Sequence, residues 1–246
     1  MSLHPQIAAL LEAPAGDSFA HVAEDGVVLA RLREDYARVT ERLGGEPQPV
    51  AHVEDLAVPR ADGSSIPARA YRPEGDARGA IVWAHGGGWV VGDLDGIDTV
   101  CRSLAAAAGA WVLSVDYRLA PEHPFPAAVE DVSRVVGWAR GPGARGLGWD
   151  ERRVVVGGDS AGGNLAAVAA RHARDDDAPA PCGQLLVYPA TDARRAGESY
   201  RRCAAGPMLT AADMQRCWET YLGGDDGESP DASPLRAGDL AGVAPA

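Results

Sequence analysis

A serine lies between two glycines in the middle of the chain, in the sequence Gly158-Asp159-Ser160-Ala161-Gly162. The apolar run 154–156 precedes this turn, and an alanine-rich stretch with helical spacing follows it. A strand, a G-x-S-x-G turn and a helix in this order are typical of a nucleophile elbow, which exposes the serine hydroxyl. Glycine is needed on both sides because a side chain there would collide across the strand and the helix. The alternative is a glycine-rich turn with an incidental serine, since the five-residue pattern alone is weak.

A second glycine-rich turn, residues 85–88 with the sequence HGGG, follows the apolar run 80–84. Consecutive glycines let backbone N–H groups point toward a ligand, and each such donor to an oxyanion contributes roughly 3–4 kcal/mol in acyl transfer. The N–H of Ala161, at the start of a predicted helix, is a further candidate donor. A nucleotide-binding turn is excluded because G-x-G-x-x-G requires glycine where this chain has Val91, and no lysine follows Gly162-Gly163. The two turns together favour acyl transfer by a serine nucleophile, which needs a base and an acid to activate it.

With both turns in place, the chain resembles the bacterial hormone-sensitive-lipase-like carboxylesterases of the α/β-hydrolase fold. Residues 115–128 are similar to the D-Y-R-L-A-P-E-H-x-F-P-A-A stretch of that family, and Tyr188-Pro189 closes a predicted strand as the family has it. The resemblance extends from about residue 51 to residue 246. It implies a serine esterase that forms an acyl-enzyme on small-molecule esters, with a short acyl chain and no cofactor. Hydrolysis of amides or lactones would require the same nucleophile and oxyanion donors.

The resemblance also implies a role for each residue of the two turns. Ser160 is the nucleophile, and the oxyanion donors are Gly87, Gly88 and Ala161. The supporting residues are His85, which holds the glycine turn, Gly86, which enables it, and Asp159, which supports the elbow. No metal site is expected.

The partner base of the serine is not evident from the sequence. The family places its acid in a D-P-L-R-D-E-G-like segment and its histidine in a later H-x-F-like segment, and we expect this chain to lack both, together with the last strands of the sheet. Among the six histidines, His172 is on the helix that follows Ser160, about 18 Å along its axis, and His85 is expected to hold the glycine turn. Asp192 is a candidate acid. Two alternatives stay open: a non-catalytic ligand-binding protein, as in the plant gibberellin receptors that resemble this family, and an inactive fragment.

Composition excludes several other functions. A net charge of −12 disfavours nucleic-acid binding and attraction to an anionic membrane surface. No apolar run reaches the length of about 18 residues that spans a membrane, and the N-terminus lacks the basic region of a signal peptide. The scattered cysteines lack metal-ligand spacing and indicate reduced thiols in a cytoplasmic protein. They are Cys101, Cys182, Cys203 and Cys217.

The order of predicted elements indicates an α/β fold, with a mostly parallel sheet covered by helices on both faces. The predicted strands are 52–58, 66–71, 80–84, 111–117, 154–157 and 184–188. The predicted helices are 5–12, 24–43, 97–108, 127–140, 161–174 and 211–222, and the glycine-rich segments 141–148 and 223–227 are predicted loops. We expect residues 1–45 to form N-terminal cap helices and residues 46–246 an incomplete hydrolase core, with a cap insertion near 193–222. A last strand without a neighbour would make a homo-oligomer possible.

Overall fold

The structure, a computed structural model, describes residues 4–6, 26–176, 179–206 and 208–246. Its strands are β1 (His52–Pro59), β2 (Ser65–Arg72), β3 (Ala80–Ala84), β4 (Trp111–Val115), β5 (Val154–Asp159) and β6 (Gly183–Val187). Its helices are α1 (Gly26–Gly44), α2 (Asp98–Ala108), α3 (Ala127–Ala139), α4 (Pro142–Leu147), α5 (Ala161–Arg174), α6 (Glu198–Arg202) and α7 (Ala211–Leu222), followed by a short 3-10 helix at Pro234–Arg236.

The six strands form one sheet in the order β1-β2-β4-β3-β5-β6. The pairs β1–β2 and β2–β4 are antiparallel, whereas β4, β3, β5 and β6 run parallel. In the parallel part, Ala84 pairs with Gly158, and Asp159 pairs with Val187. The carboxyl ends of β3, β5 and β6 therefore lie side by side, which places the two glycine-rich turns next to each other. In open parallel sheets this edge is where ligands bind.

Both faces of the sheet are covered, as the continuous apolar strands predict. On one face, α3 and α5 pack in the larger core, which includes Val82, Leu113 and Leu165. On the other face, Cys101 and Ala105 of α2 pack against strand residues such as Trp83. The expected α/β architecture, a mostly parallel sheet with helices on both sides, is therefore confirmed.

Most predicted elements are found within one or two residues of their predicted bounds. The prediction of a loop over 141–148 is wrong, because Pro142–Leu147 forms the short helix α4. Proline is well accommodated in the first turn of a helix, where its missing N–H has no partner to lose, and Gly148 ends this helix with φ 93°. Most of the predicted helix 5–12 lies outside the described residues, as do residues 7–25 of the expected N-terminal cap.

The outer edge of β6 is partly covered by the last residues of the chain. The N–H of Gln184 donates to the carbonyl of Pro245 (2.7 Å), and the Gln184 side-chain amide donates to the carbonyl of Ala244 (2.6 Å). Leu185 of the same strand is 39% exposed. Self-association through this edge stays a prediction. In the described part of the chain, no helix combines the length and apolar character needed to cross a membrane.

Candidate active site

Ser160 occupies a strained backbone conformation at the junction of β5 and α5. Its φ of 53° and ψ of −116° lie in a region that residues other than glycine rarely adopt. Hydrogen bonds hold it there: its N–H donates to the Val187 carbonyl (2.9 Å), and its carbonyl accepts from the N–H groups of Asn164 (3.1 Å) and Ala190 (3.2 Å). The predicted elbow is therefore present, and it is fixed from β6 as well as from its own helix.

The two glycines that flank the serine are required by close packing. A Cβ atom on Gly158 or on Gly162 would overlap the carbonyl oxygen of Ala84 at the end of β3. At Gly162 it would also contact the His85 carbonyl. The start of α5 therefore lies directly against the segment that leads into the glycine turn, and only glycine permits this approach.

The glycine turn folds back on itself through the carbonyl of Gly87, which accepts hydrogen bonds from the N–H groups of Val90 (3.1 Å) and Val91 (3.0 Å). Gly87 has φ 117° and Gly88 has φ 59°, values that explain why glycines occupy these positions. Among the described residues, the N–H groups of Gly87, Gly88 and Ala161 have no hydrogen-bond acceptor. These three groups are the predicted oxyanion donors, and they are unengaged.

Asp159 joins the two turns. Its Oδ1 accepts a hydrogen bond from the Gly86 N–H (3.1 Å), and a Cβ on Gly86 would overlap its carboxylate. Burial raises the pKa of Asp159, and the Gly86 hydrogen bond only partly opposes that shift. The carboxyl thus contacts the glycine turn through this hydrogen bond, and the supporting role of Asp159 stays a prediction.

His85 is buried behind the glycine turn. Its Nδ1–H donates to the Gly86 carbonyl (2.7 Å), and its ring stacks on Tyr117 with centroids 4.4 Å apart. The Tyr117 hydroxyl donates to the His85 carbonyl (2.7 Å). Burial lowers the pKa of His85, so the imidazole is neutral. These contacts hold the turn, and none of them involves Ser160.

No base for Ser160 is found in the described part of the chain, where its hydroxyl has no hydrogen-bond partner. His172 is engaged elsewhere: Nε2 lies 2.8 Å from Asp231 Oδ1, and Nδ1 lies 3.1 Å from Ser133 Oγ. The candidate acid Asp192 accepts a hydrogen bond from the N–H of Arg194 within its own turn (3.0 Å). The structure therefore brings together the nucleophile and the donors but does not place a histidine beside them.

A cavity of about 490 Å³ opens over Ser160. Its walls are mostly apolar and come from α1, from the segment after β6, and from α7 and the segment before it. Besides the residues of the two turns, they include Leu32, Tyr36, Val39, Tyr188, Ala190, Met208, Leu209, Met214 and Cys217. Met208, Leu209 and Met214 belong to the expected cap insertion near 193–222. No signal in the sequence indicates Tyr188 or Cys217, whereas the helical spacing of apolar residues in α1 is a usable signal for Leu32, Tyr36 and Val39.

Trp218 is not part of this wall. Its ring packs against Trp89 (4.4 Å between centroids) and is almost completely buried. Trp89 also stacks on Tyr221 (4.3 Å), so α7 forms part of the core that supports the glycine turn. Trp218 therefore has a role in the core.

A second cavity of about 530 Å³ adjoins the first and shares Ser160, Tyr188 and Met214 with it. Its other walls carry more polar groups, among them Ser199 and Thr210. Ser160 therefore lies between two spaces, one almost wholly apolar and one mixed. In the described residues, no three His, Cys, Asp or Glu side chains come together as they would around a metal ion.

The family model for the alpha/beta hydrolase fold matches residues 81–246. The chain is 46% identical to the carboxylic ester hydrolase LipN of Mycobacterium tuberculosis over 91% of its own length, and it spans 60% of the length of LipN. It is 36% identical to the ethyl acetate hydrolase of Pseudomonas putida, covering all of this chain and 80% of that protein.

The solved esterase structure from Pyrobaculum calidifontis superposes with a TM-score of 0.87 at 38% identity, covering 99% of this chain and 78% of that one. The chain therefore belongs to the α/β-hydrolase fold family, in its hormone-sensitive-lipase-like group. The family resemblance carried by the two turns is confirmed.

Proposed function

We propose that this protein hydrolyses carboxylic esters through an acyl-enzyme on Ser160. One observation carries the proposal: Ser160, Gly87, Gly88 and Ala161 line the same cavity, and the N–H groups of the last three have no acceptor among the described residues. In the first step Ser160 Oγ bonds to the ester carbonyl carbon, and the three donors stabilise the negative charge on the carbonyl oxygen. The tetrahedral species then releases the alcohol, and water attacks the acyl-enzyme to release the acid and regenerate Ser160.

Two proton transfers accompany these steps. The Ser160 proton passes to a general base and then to the departing alkoxide, and the attacking water gives a proton to the base, which returns it to the Ser160 oxygen as the acid leaves. His85 does not serve as this base, because its free ring nitrogen, Nε2, is buried without a hydrogen-bond partner and so does not contact the Ser160 hydroxyl. Asp159 does not serve either, because its carboxyl holds the Gly86 N–H.

The walls of the cavities support an uncharged ester as substrate. Most side chains that line the first cavity are aliphatic, aromatic or thioether groups, and its two acidic members are Asp35 and Asp159. Such a surface favours apolar groups over negatively charged ones. A short acyl chain is the finer part of the proposal, and it rests on the family and on the similarity to the ethyl acetate hydrolase of Pseudomonas putida. Residues 1–45 and the insertion near 193–222 are proposed as the cap, since α1 and the segment 208–217 contribute to the cavity wall.

The cytoplasm is the proposed location, supported by four cysteines that are all free thiols. A homo-oligomer is proposed through the β6 edge, where Leu185 is exposed.

A labelling experiment tests the role of Ser160. The protein is treated with a fluorophosphonate, digested and mapped by mass spectrometry, and hydrolysis of p-nitrophenyl acetate is followed in parallel. We expect the label on Ser160. We expect Ser160→Ala to lose both the label and the serine-dependent hydrolysis, leaving only the rate acceleration that the oxyanion donors and substrate binding provide.

The matched control is Ser133→Ala, which disrupts a hydrogen-bonded Ser–His–Asp line away from Ser160, Ser133–His172–Asp231, and should leave both readouts unchanged. A label on Ser133, or hydrolysis that survives Ser160→Ala, would refute the assignment. Saturable binding of the ester without label or turnover would instead favour the ligand-binding alternative.

A further inference from the structure

Arg33, in the middle of α1, makes four hydrogen bonds to a different part of the fold. Its Nε donates to the Val90 carbonyl (2.9 Å), and one terminal nitrogen donates to the Ala120 carbonyl (3.2 Å). Both terminal nitrogens donate to the Glu122 carboxylate, at 2.7 and 2.8 Å. A planar guanidinium satisfies these acceptors together, which the single ammonium of lysine does not.

The acceptors of Arg33 belong to the support of the glycine turn. Val90 is the residue whose N–H closes that turn on the Gly87 carbonyl (3.1 Å). The Ala120 N–H donates to the Trp89 carbonyl (2.9 Å), so residues 89–90 and 120 form one hydrogen-bonded unit with Arg33 at its centre. The Arg33 hydrogen bond lowers the pKa of Glu122, so that carboxylate stays ionised opposite the guanidinium at neutral pH.

The same helix carries part of the cavity wall. Leu29 and Leu32 pack on Val90 and Val91, and Tyr36, one turn after Arg33, lines the cavity over Ser160. Tyr36 lines that cavity together with Asp159 and Ser160, and burial, with a contribution from Asp159, raises the pKa of Tyr36 to about 12. A shift of α1 would therefore move the wall and release the carbonyl of Val90 at the same time.

We propose that Arg33 is a positioning residue, which fixes α1 on the glycine turn and so sets both the orientation of the Gly87 and Gly88 N–H groups and the position of the Tyr36 wall. The role of these N–H groups rests on the proposed function. The fixation of the turn does not, because it follows from the four hydrogen bonds alone.

The first test measures the turn directly, without a reaction. In hydrogen–deuterium exchange of the full chain, Arg33→Ala should accelerate exchange of the peptide that contains residues 86–91 by about 10-fold or more, since loss of a positioned contact opens the segment locally. Ethylguanidine should restore the protection and ethylamine should not, because only the former presents the planar donor pair. The matched control is Arg38→Ala, on the same helix, whose ionic partners Glu34 and Asp35 also lie on α1.

The second test measures the consequence at Ser160. The rate constant for fluorophosphonate labelling should fall by about 10- to 100-fold in Arg33→Ala, since small misplacements of a site cost this much, and ethylguanidine should recover it. Glu122→Gln keeps Arg33 and replaces Arg33→Ala in both tests if that variant does not fold. We expect it to change the exchange rate and the labelling rate in the same direction, by a smaller factor.

The outcomes of the two tests are distinguishable. Unchanged exchange at residues 86–91 in Arg33→Ala and Glu122→Gln overturns the positioning role, whether or not Ser160 reacts. Accelerated exchange without any labelling of the wild-type protein keeps the positioning role and refutes the proposed function.

Discussion

The two walls that face Ser160 are built in opposite ways. The wall formed by the glycine turn is closed: Trp89, Val90 and Val91 have no exposed surface, and His85 has 2%. The opposite wall, formed by residues 188–190 and 208–217, is open. Tyr188 is 74% exposed and Met208 is 63% exposed.

Both walls contain a residue other than glycine with a positive φ, a conformation that such residues rarely adopt. Only in the closed wall do packing contacts explain how this conformation is held. Trp89 in the closed wall has φ 61°, and its buried ring packs on Trp218 and Tyr221. Met208 has φ 69° and lies at the surface. The difference indicates two roles. The packed wall carries the groups that contact the reacting atoms, and the exposed wall contacts the variable part of a substrate.

The largest expected effect is at Gly162. We expect Gly162→Ala to lower the free energy of unfolding by about 3 kcal/mol or more, because the new methyl group would overlap the carbonyls of Ala84 and His85 and neither backbone is free to move. Urea denaturation followed by circular dichroism measures this loss.

The control for Gly162 is Gly146→Ala in α4, where nothing lies within 4 Å of the added Cβ. Alanine is the better helix former there, by about 0.5–1 kcal/mol. Equal stability of the two variants would show that the closed wall is not tightly packed around the elbow.

An effect of intermediate size concerns the pH dependence contributed by Asp159. Burial raises its pKa above the ordinary value of 3.8, so the folded protein holds this proton more tightly than the unfolded chain. Its contribution to stability therefore decreases as pH rises from below 3.8 through the raised folded-state pKa. Asp159→Asn removes this decrease, and the stability of the variant relative to wild type should rise between pH 4 and pH 7.

The opposite pH dependence of stability is expected for Asp131. Burial disfavours ionisation of Asp131, but hydrogen bonds from Arg60 and Arg118 outweigh it and lower the pKa. Its contribution is present above the ordinary pKa and is lost as pH falls through the lowered one, so Asp131→Asn should lose stability relative to wild type as pH rises. Urea midpoints at several pH values give both trends, and parallel trends in the two variants would contradict the assignment of Asp159.

The closed wall could be predicted from the sequence because its requirements are local. A strand that turns sharply into a helix requires glycine at positions 158 and 162. The glycine turn requires glycine at position 87, where φ is 117°. Both requirements concern residues that are close together in the sequence, so a short motif specifies them. The open wall follows from chain segments far apart in sequence, and no short pattern specifies that Tyr188 and Cys217 meet α1 across one cavity.

The same reasoning explains the contacts that were missed. Arg33 and Glu122 are separated by 89 residues, so their pairing depends on how α1 docks and not on any local spacing. Helix α4 was missed because its sequence, PGARGL, has the composition of a loop, and only the position of its proline favours a helix.

The smallest expected effect is at Met208, and it tests the open wall. Met208→Gly relieves a left-handed conformation, which disfavours a non-glycine residue by about 1–2 kcal/mol. Glycine also gives the unfolded chain more freedom, which opposes the gain by about 0.5–1 kcal/mol. Loss of the side chain costs little contact because it is 63% exposed. The net change in unfolding free energy should therefore be within about 1 kcal/mol.

The reciprocal change on the closed wall, Gly87→Ala, should destabilise strongly, because its Cβ would overlap the Val91 carbonyl at φ 117°. Urea denaturation of both variants decides the comparison: a large loss in Met208→Gly would show that the exposed wall is packed as tightly as the closed one.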